Sequence, residues 1–165
     1  MTVQVYLGLG ANIEPEHCLR AGVAALRDAF GQTSQIQLSP VYQTQAVGLD
    51  GPDFLNMVVG FTTQMSITEL RAWIKDIESK NGRLRHQPQP SCHRLDMDLL
   101  LYGDLISAEH NLPRSDVLQR AYVLQPLADI ASALFYPGTQ QTMASCWQQS
   151  QLDQVTIPID MDFTD

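Results

Sequence analysis

A chain of 165 residues with 44% apolar content can bury one well-packed core and is short for two domains. A formal net charge of −8 and a pI of about 4.7 argue against a nucleic-acid binder, whose affinity rests on Lys and Arg at phosphates, and no apolar run is long enough to span a bilayer. Cys18, Cys92 and Cys146 are odd in number, widely separated and without C-x-x-C spacing, which points away from a disulfide framework or a zinc site and toward reduced thiols.

The chain opens directly into alternation, with no basic and apolar leader, so a cytoplasmic protein is expected. Val3, Val5, Leu7 and Leu9 alternate with small or polar residues and read as a first strand running into Gly8 and Gly10. Those glycines carry little weight as a phosphate loop, because the third glycine of a dinucleotide fingerprint and the Lys of a P-loop are missing. Pro15 suits the first turn of a helix whose apolar face is Leu19, Val23, Leu26 and Phe30, with Gly31 as its stop.

Val41 to Thr44 has strand character, and residues 48–52 form a turn-rich loop. A second clear strand, Asp53 to Thr63, places Leu55, Met57, Val59 and Phe61 on one face and Phe54, Asn56 and Val58 on the other. A ring beside an amide on one strand face can stack on and pair with a planar heterocycle, although an edge phenylalanine beside a turn asparagine is the plainer reading. Ser66-Ile67-Thr68-Glu69 is a capping box, and Leu70, Trp73, Ile74 and Ile77 give the stripe of an amphipathic helix that ends near Gly82, with Trp73 in the core. Glu78 follows the stripe and is expected to face the next loop.

That loop, residues 83–94, is polar and broken by prolines. It carries Arg83, Arg85, His86, His93 and Arg94, and five of the ten Lys and Arg residues fall between Lys75 and Arg94. Long loops in compact domains often act as lids. It leads into Leu95-Asp96-Met97-Asp98-Leu99-Leu100-Leu101, the stretch around which the chain is organised. As a strand, it puts Leu95, Met97, Leu99 and Leu101 on one face and Asp96 and Asp98 on the other, with their Cα atoms roughly 6 to 7 Å apart. Two neighbouring carboxylates on a half-buried strand call for a cation, and Mg²⁺ bound to substrate phosphates fits. Asp160-Met161-Asp162 repeats the tripeptide near the C-terminus without an apolar run after it and reads as a solvated tail.

Tyr102-Gly103-Asp104 is a turn, Leu105 and Ile106 suggest a brief return strand, and Val117 to Ile130 reads as helical segments broken by Pro126. A short helix is expected around Met143 to Gln149. The organisation predicted is a single domain over residues 1–150 and an acidic C-terminal tail over residues 151–165, disordered or on the surface. Strands with two packed helices make a ferredoxin-like α+β sandwich, with a mainly antiparallel sheet, the expected fold class.

At Phe54-Leu55-Asn56, Gly82-Arg83-Leu84-Arg85 and Leu95-Asp96-Met97-Asp98-Leu99-Leu100 the sequence resembles the 6-hydroxymethyl-7,8-dihydropterin pyrophosphokinases of folate biosynthesis. The likeness runs from Met1 to about Trp147 and includes Tyr6 to Asn12, Tyr42-Gln43-Thr44, Tyr102-Gly103-Asp104 and Arg120 to Leu124. It implies transfer of the β,γ-pyrophosphoryl group of ATP to the hydroxymethyl group of a reduced pterin, with release of AMP. It implies stacking of the pterin between Phe54 and Tyr122, with Thr44 and Asn56 on its edge. Asp96 and Asp98 match the carboxylates holding two Mg²⁺ ions, and Glu78, Arg83, Arg85, Leu99, Arg114 and Arg120 match the nucleotide side.

On that side the chain departs from the family pattern. His93 stands where an Arg is usual, Gln89 and Pro90-Ser91-Cys92 replace an Arg and a Trp-Gly-Pro-like segment, and Pro113-Arg114 replaces a Pro-His pair. Arg94 and Arg114 either replace the missing charge or leave a weakened ATP site. Arg94 is expected, by strand alternation, on the side of Asp96 and Asp98, and compensation is the reading preferred, with Arg85, His93 and Arg94 joining the aspartates in the catalytic set. The competing function is a pterin-binding paralogue with weak or no kinase activity, and a D-x-D nucleotide-sugar transferase ranks below both because no nucleotide-binding βαβ unit is evident. Small-molecule substrates, no nucleic acid, no membrane and a monomeric state complete the expectations.

Overall fold

The computed structural model describes residues 1–45, 51–82 and 94–164. Its spine is β1 (Val3–Ala11), paired antiparallel with β4 (Phe54–Thr63) on one side and β5 (Asp96–Tyr102) on the other. β3 (Val41–Thr44) pairs with β4, β6 (Ile157–Ile159) with β3, and the two-residue β2 (Gln37–Leu38) with the far end of β4. The result is an open, wholly antiparallel sheet in the order β5-β1-β4-β3-β6, the α+β architecture the pattern predicts.

Period-two alternation sorts the two faces. Val5, Leu7, Leu9, Leu55, Met57, Val59, Phe61, Met97 and Leu99 bury against α1 (Pro15–Phe30) and α2 (Ile67–Lys80). Pro15 opens α1, Leu19, Val23, Leu26 and Phe30 line its buried side, and Gly31 is its C-cap residue. In α2 the capping box forms in full, with the Ser66 hydroxyl accepting from the Glu69 amide and the Glu69 carboxylate accepting from the Ser66 amide. Trp73 meets Phe30 edge-on at 5.1 Å, at the border of this core.

The opposite face carries Tyr6, Val58, Leu100 and Leu101, covered by α3 (Asp116–Gln119), α4 (Ala121–Ile130) and α5 (Met143–Gln149). Leu101 was expected beside Leu99. The pairing jumps from Leu7–Leu99 to Tyr6–Leu101, so β5 carries an extra residue at Leu100, and both Leu100 and Leu101 join the second core. A bulge of this kind reverses the alternation of every residue beyond it.

Two further expectations need correction, and the C-terminal segment takes the surface alternative of the two left open for it. Leu105 and Ile106 form no return strand: they are exposed, and the Leu100 carbonyl on the outer edge of β5 accepts from the Arg114 amide instead. Pro126 lies inside α4, where it removes one backbone bond and is buried, whereas the break falls at Arg120, which is extended at φ −125° and ψ 122°. The C-terminal segment supplies β6 and packs Met161 and Phe163 against the first core, held by Arg20 and Arg27 donating to the Asp162 and Phe163 carbonyls. The Asp160 and Asp162 side chains themselves are exposed, as a solvated D-x-D requires. Among the described residues no helix is long and apolar enough to cross a membrane.

Candidate active site

Strand register assembles the floor of the site. Gly8 pairs with Asp98 and Val58, and Gly10 pairs with Asp96 and Asn56, so β1 passes between the two aspartates and the asparagine as a strip without side chains. All of these residues lie on the face that α4 covers. Adjacent strands are about 4.8 Å apart, which sets Asn56 and Asp96 about 10 Å from each other across Gly10. The floor is shaped by the missing Cβ atoms: one on Gly10 would lie 2.8 Å from the Asn56 Oδ1.

Asp98 is only 35% exposed at its side chain and faces several anions. Its carboxyl is pushed up to about 7, first by burial and then by Asp96, with smaller contributions from Asp116 and Glu78 and an opposing pull from Arg114. Arg114 is forked between two carboxylates, its Nε donating to Asp116 Oδ2 at 2.9 Å and its NH2 lying 3.7 Å from Asp98 Oδ1. The amide of the same residue is tied to the Leu100 carbonyl, so the β5 bulge and the arginine's position are linked. A cavity of about 350 Å³ opens here, lined among the described residues by Lys75, Glu78, Ser79, Asp96, Met97, Asp98 and Arg114. Cations thus meet carboxylates on one rim of an otherwise acidic protein.

Glu78 was expected to face the following loop. It is instead buried against β5, where its Oε2 accepts from the Met97 amide at 3.0 Å. That bond fixes the strand between the two aspartates and brings a third carboxylate to the cavity wall.

On the other side of Gly10, Asn56 is 7% exposed and donates from Nδ2 to Thr44 Oγ1 at 2.9 Å. The bond uses one of the amide's two N–H groups and thereby orients its oxygen. Phe54 stands on the same face, opposite Thr44 in the β3–β4 pairing, and Tyr122 comes from the first turn of α4. Burial raises the Tyr122 hydroxyl above its ordinary value; Arg120 opposes the shift, and Asp116, Asp98 and Asp96 add to it. The phenol therefore sits within the field of the aspartate pair. The four residues expected on a heterocycle and the two expected on a metal share one sheet face and its covering helix.

The remaining expected residues divide. Arg120 occupies the extended break between α3 and α4, two residues before Tyr122. The Leu99 side chain is in the first core, on the opposite face, which leaves only its backbone for a ligand. Arg94 precedes β5, so strand alternation does not place it beside Asp96: its NH1 is 3.3 Å from Glu14 Oε2, and its side chain covers Gly82. Arg83, Arg85 and His93 lie outside the described residues. Residue-level reading missed Gly8, Gly10 and Asp116. For the glycines the signal was present, since they share the parity of Tyr6 in an alternating strand.

Mg²⁺ prefers oxygen ligands, keeps several waters and is commonly held by one or two carboxylates together with substrate phosphates. Asp96 and Asp98 offer that donor set, and the unfavourable ionisation of Asp98 is what a divalent cation would relieve. Among the described residues no group of three or more His, Cys, Asp or Glu side chains is gathered so as to hold a metal ion.

Comparison with known proteins agrees on one family. Residues 6–132 match the model described as 7,8-dihydro-6-hydroxymethylpterin-pyrophosphokinase. The chain is 32% identical over 142 residues to the 2-amino-4-hydroxy-6-hydroxymethyldihydropteridine pyrophosphokinase of Haemophilus influenzae, covering 84% of this chain and 88% of that one. It is 31% identical over 153 residues to the protein of the same name from Pseudomonas aeruginosa, covering 88% and 93%. Among solved structures, a Plasmodium falciparum HPPK-DHPS triple mutant with pteroate superposes with a TM-score of 0.67 at 13% identity. The match takes in 90% of this chain and 43% of the Plasmodium one, and carries the fold.

Proposed function

This chain belongs to the 7,8-dihydro-6-hydroxymethylpterin-pyrophosphokinase family, and we propose from that premise that it transfers pyrophosphate from ATP to 6-hydroxymethyl-7,8-dihydropterin in folate biosynthesis. The observation that carries the reading is the shared sheet face, on which the Thr44–Asn56 pair and the Asp96–Asp98 pair flank the glycine strip of β1.

In the reaction the pterin hydroxyl gives up its proton as its oxygen bonds to the β-phosphorus of ATP. The bond from that phosphorus to the oxygen bridging the α-phosphorus breaks, and AMP leaves. No covalent protein nucleophile is required, so the task is positioning and charge stabilisation. Asn56, oriented by Thr44, pairs with the heterocycle's edge, while Phe54 and Tyr122 supply flat apolar surface for its faces. Two Mg²⁺ ions, held by Asp96 and Asp98, would neutralise phosphate charge and align the attacking and leaving oxygens. Arg114, steered by Asp116, and Arg120 are the described cations of the phosphate side. Arg83, Arg85 and His93 join them in this reading, from the segment that follows Gly82. A monomeric cytoplasmic enzyme acting on small molecules is the setting the proposal assumes, and the acidic net charge speaks against a nucleic-acid partner.

The Arg94–Glu14 pair favours a second reading, a pterin-binding paralogue with weak transfer, because it turns one expected phosphate cation toward α1. Release of AMP from ATP, Mg²⁺ and 6-hydroxymethyl-7,8-dihydropterin separates the two. Pterin-dependent AMP that disappears in an Asp96→Ala/Asp98→Ala variant is the expected result. Absence of AMP together with tight pterin binding would select the paralogue.

A further inference from the structure

We propose that Gln154, in the C-terminal segment, is a positioning residue for the pterin and phosphate groups at the start of α4; the inference rests on the function proposed above. α4 begins at a backbone break. Arg120 is extended and gives the helix no side-chain cap, so the first amides of α4 need acceptors from elsewhere. The Ala121 amide donates to Gln154 Oε1 at 2.7 Å, across 33 residues of sequence. The side chain thus does the work of an N-cap residue, at the peptide unit joining Arg120 to Ala121, one residue before Tyr122.

The segment is fastened at further points. One turn along α4, Gln125 Oε1 accepts from Thr156 Oγ1 at 2.5 Å. Immediately afterwards β6 pairs with β3, Ile157 opposite Gln43, the neighbour of Thr44. β3 reaches α4 independently through the Tyr42 hydroxyl, which donates to Asp129 Oδ2 at 2.5 Å. Residues 154–159 therefore join the helix bearing Tyr122 to the strand bearing Thr44, one group expected on a face of the heterocycle and the other on its edge. The family match ends at residue 132, so this strap belongs to the part of the chain outside it.

The test compares Gln154→Ala, Gln154→Glu, which keeps an oxygen acceptor, and Thr156→Val, which releases the second fastening. In Gln154→Ala the KM for the pterin is expected to rise roughly fivefold, the scale of losing one helix cap, with kcat within about twofold and the glutamate variant restoring KM. Hydrogen exchange at the Ala121 amide should be faster in the alanine variant and slow again in the glutamate variant, with bulk protection unchanged. Thr156→Val should raise KM less. Unchanged Ala121 exchange in Gln154→Ala overturns the proposal, and so does faster exchange with unchanged pterin affinity, which would make the bond merely structural. If the wild type releases no AMP, the proposed activity has failed rather than the strap, and pterin affinity by titration then decides between the same outcomes.

Discussion

Asp98 sets a stability against pH that can be worked from the structure. Its carboxyl lies at about 7 in the folded protein against an ordinary value of 3.8, so between those values the folded state holds a proton that the unfolded chain has lost. Stability from this group is complete below the unfolded value and falls as pH rises through the folded one. The gap is about three pH units, and at about 1.4 kcal/mol per unit it bounds the effect at about 4 kcal/mol. With the side chain 35% exposed, solvent screening brings that down to about 2 kcal/mol. The perturbation is Asp98→Asn without magnesium or nucleotide, followed by urea unfolding from pH 5.5 to 8.5. The variant should be increasingly more stable than wild type as pH rises, gaining about 1 kcal/mol across that range, which is the part of the titration it covers. The same variant should lose AMP release, because the destabilising carboxylate is the one the reaction needs. A stability difference that is flat with pH would refute the argument that Asp98 is ionised at a cost.

Gly10→Ala should weaken pterin binding about tenfold, or about 1.4 kcal/mol, since a Cβ placed 2.8 Å from the Asn56 Oδ1 must push that amide off Thr44; equal affinity by fluorescence titration would count against the glycine floor. Arg94→Ala should leave AMP turnover within about twofold and change unfolding stability by less than about 1 kcal/mol, as an exposed pair with Glu14 implies. A tenfold fall in turnover would instead put Arg94 on the phosphates.

The sequence disclosed what period alone can carry. The alternation of β1, β4 and the first half of β5, the capping box at Ser66 and the stripe of α1 all appear where residue pattern puts them, and with them the aspartate face. It failed where tertiary contacts override the period. The Leu100 bulge turns Leu101 over because β1 offers one partner fewer there. Arg94 stops short of β5 and finds Glu14, a partner 80 residues earlier that no local pattern ties to it. Glu78 moves from a helix flank to a buried bond because the Met97 amide lies on β5, the edge strand of the sheet, and only the packing of α2 against that edge reveals the pairing. The strand character of Ile157–Ile159 is hidden by Pro158, tolerable only because β6 is an edge.

The site's two halves impose opposite demands on the same strand. A heterocycle needs a flat, dry floor, and a phosphate chain with its cations needs charge held in partial burial. β1 meets both by having no side chain at Gly8 and Gly10, so that Asn56 and the aspartates project past it from β4 and β5 without competition. Charge on the β5 side is then managed by neighbours fixed to backbone: Glu78 to the Met97 amide, and Arg114 to the Leu100 carbonyl. A frame of this kind buries Asp98 and holds Asp96 beside it, and burial first, then the neighbouring charge, makes its carboxyl reluctant to ionise. A divalent cation beside the pair would relieve that cost, and the pH dependence of Asp98→Asn measures its size.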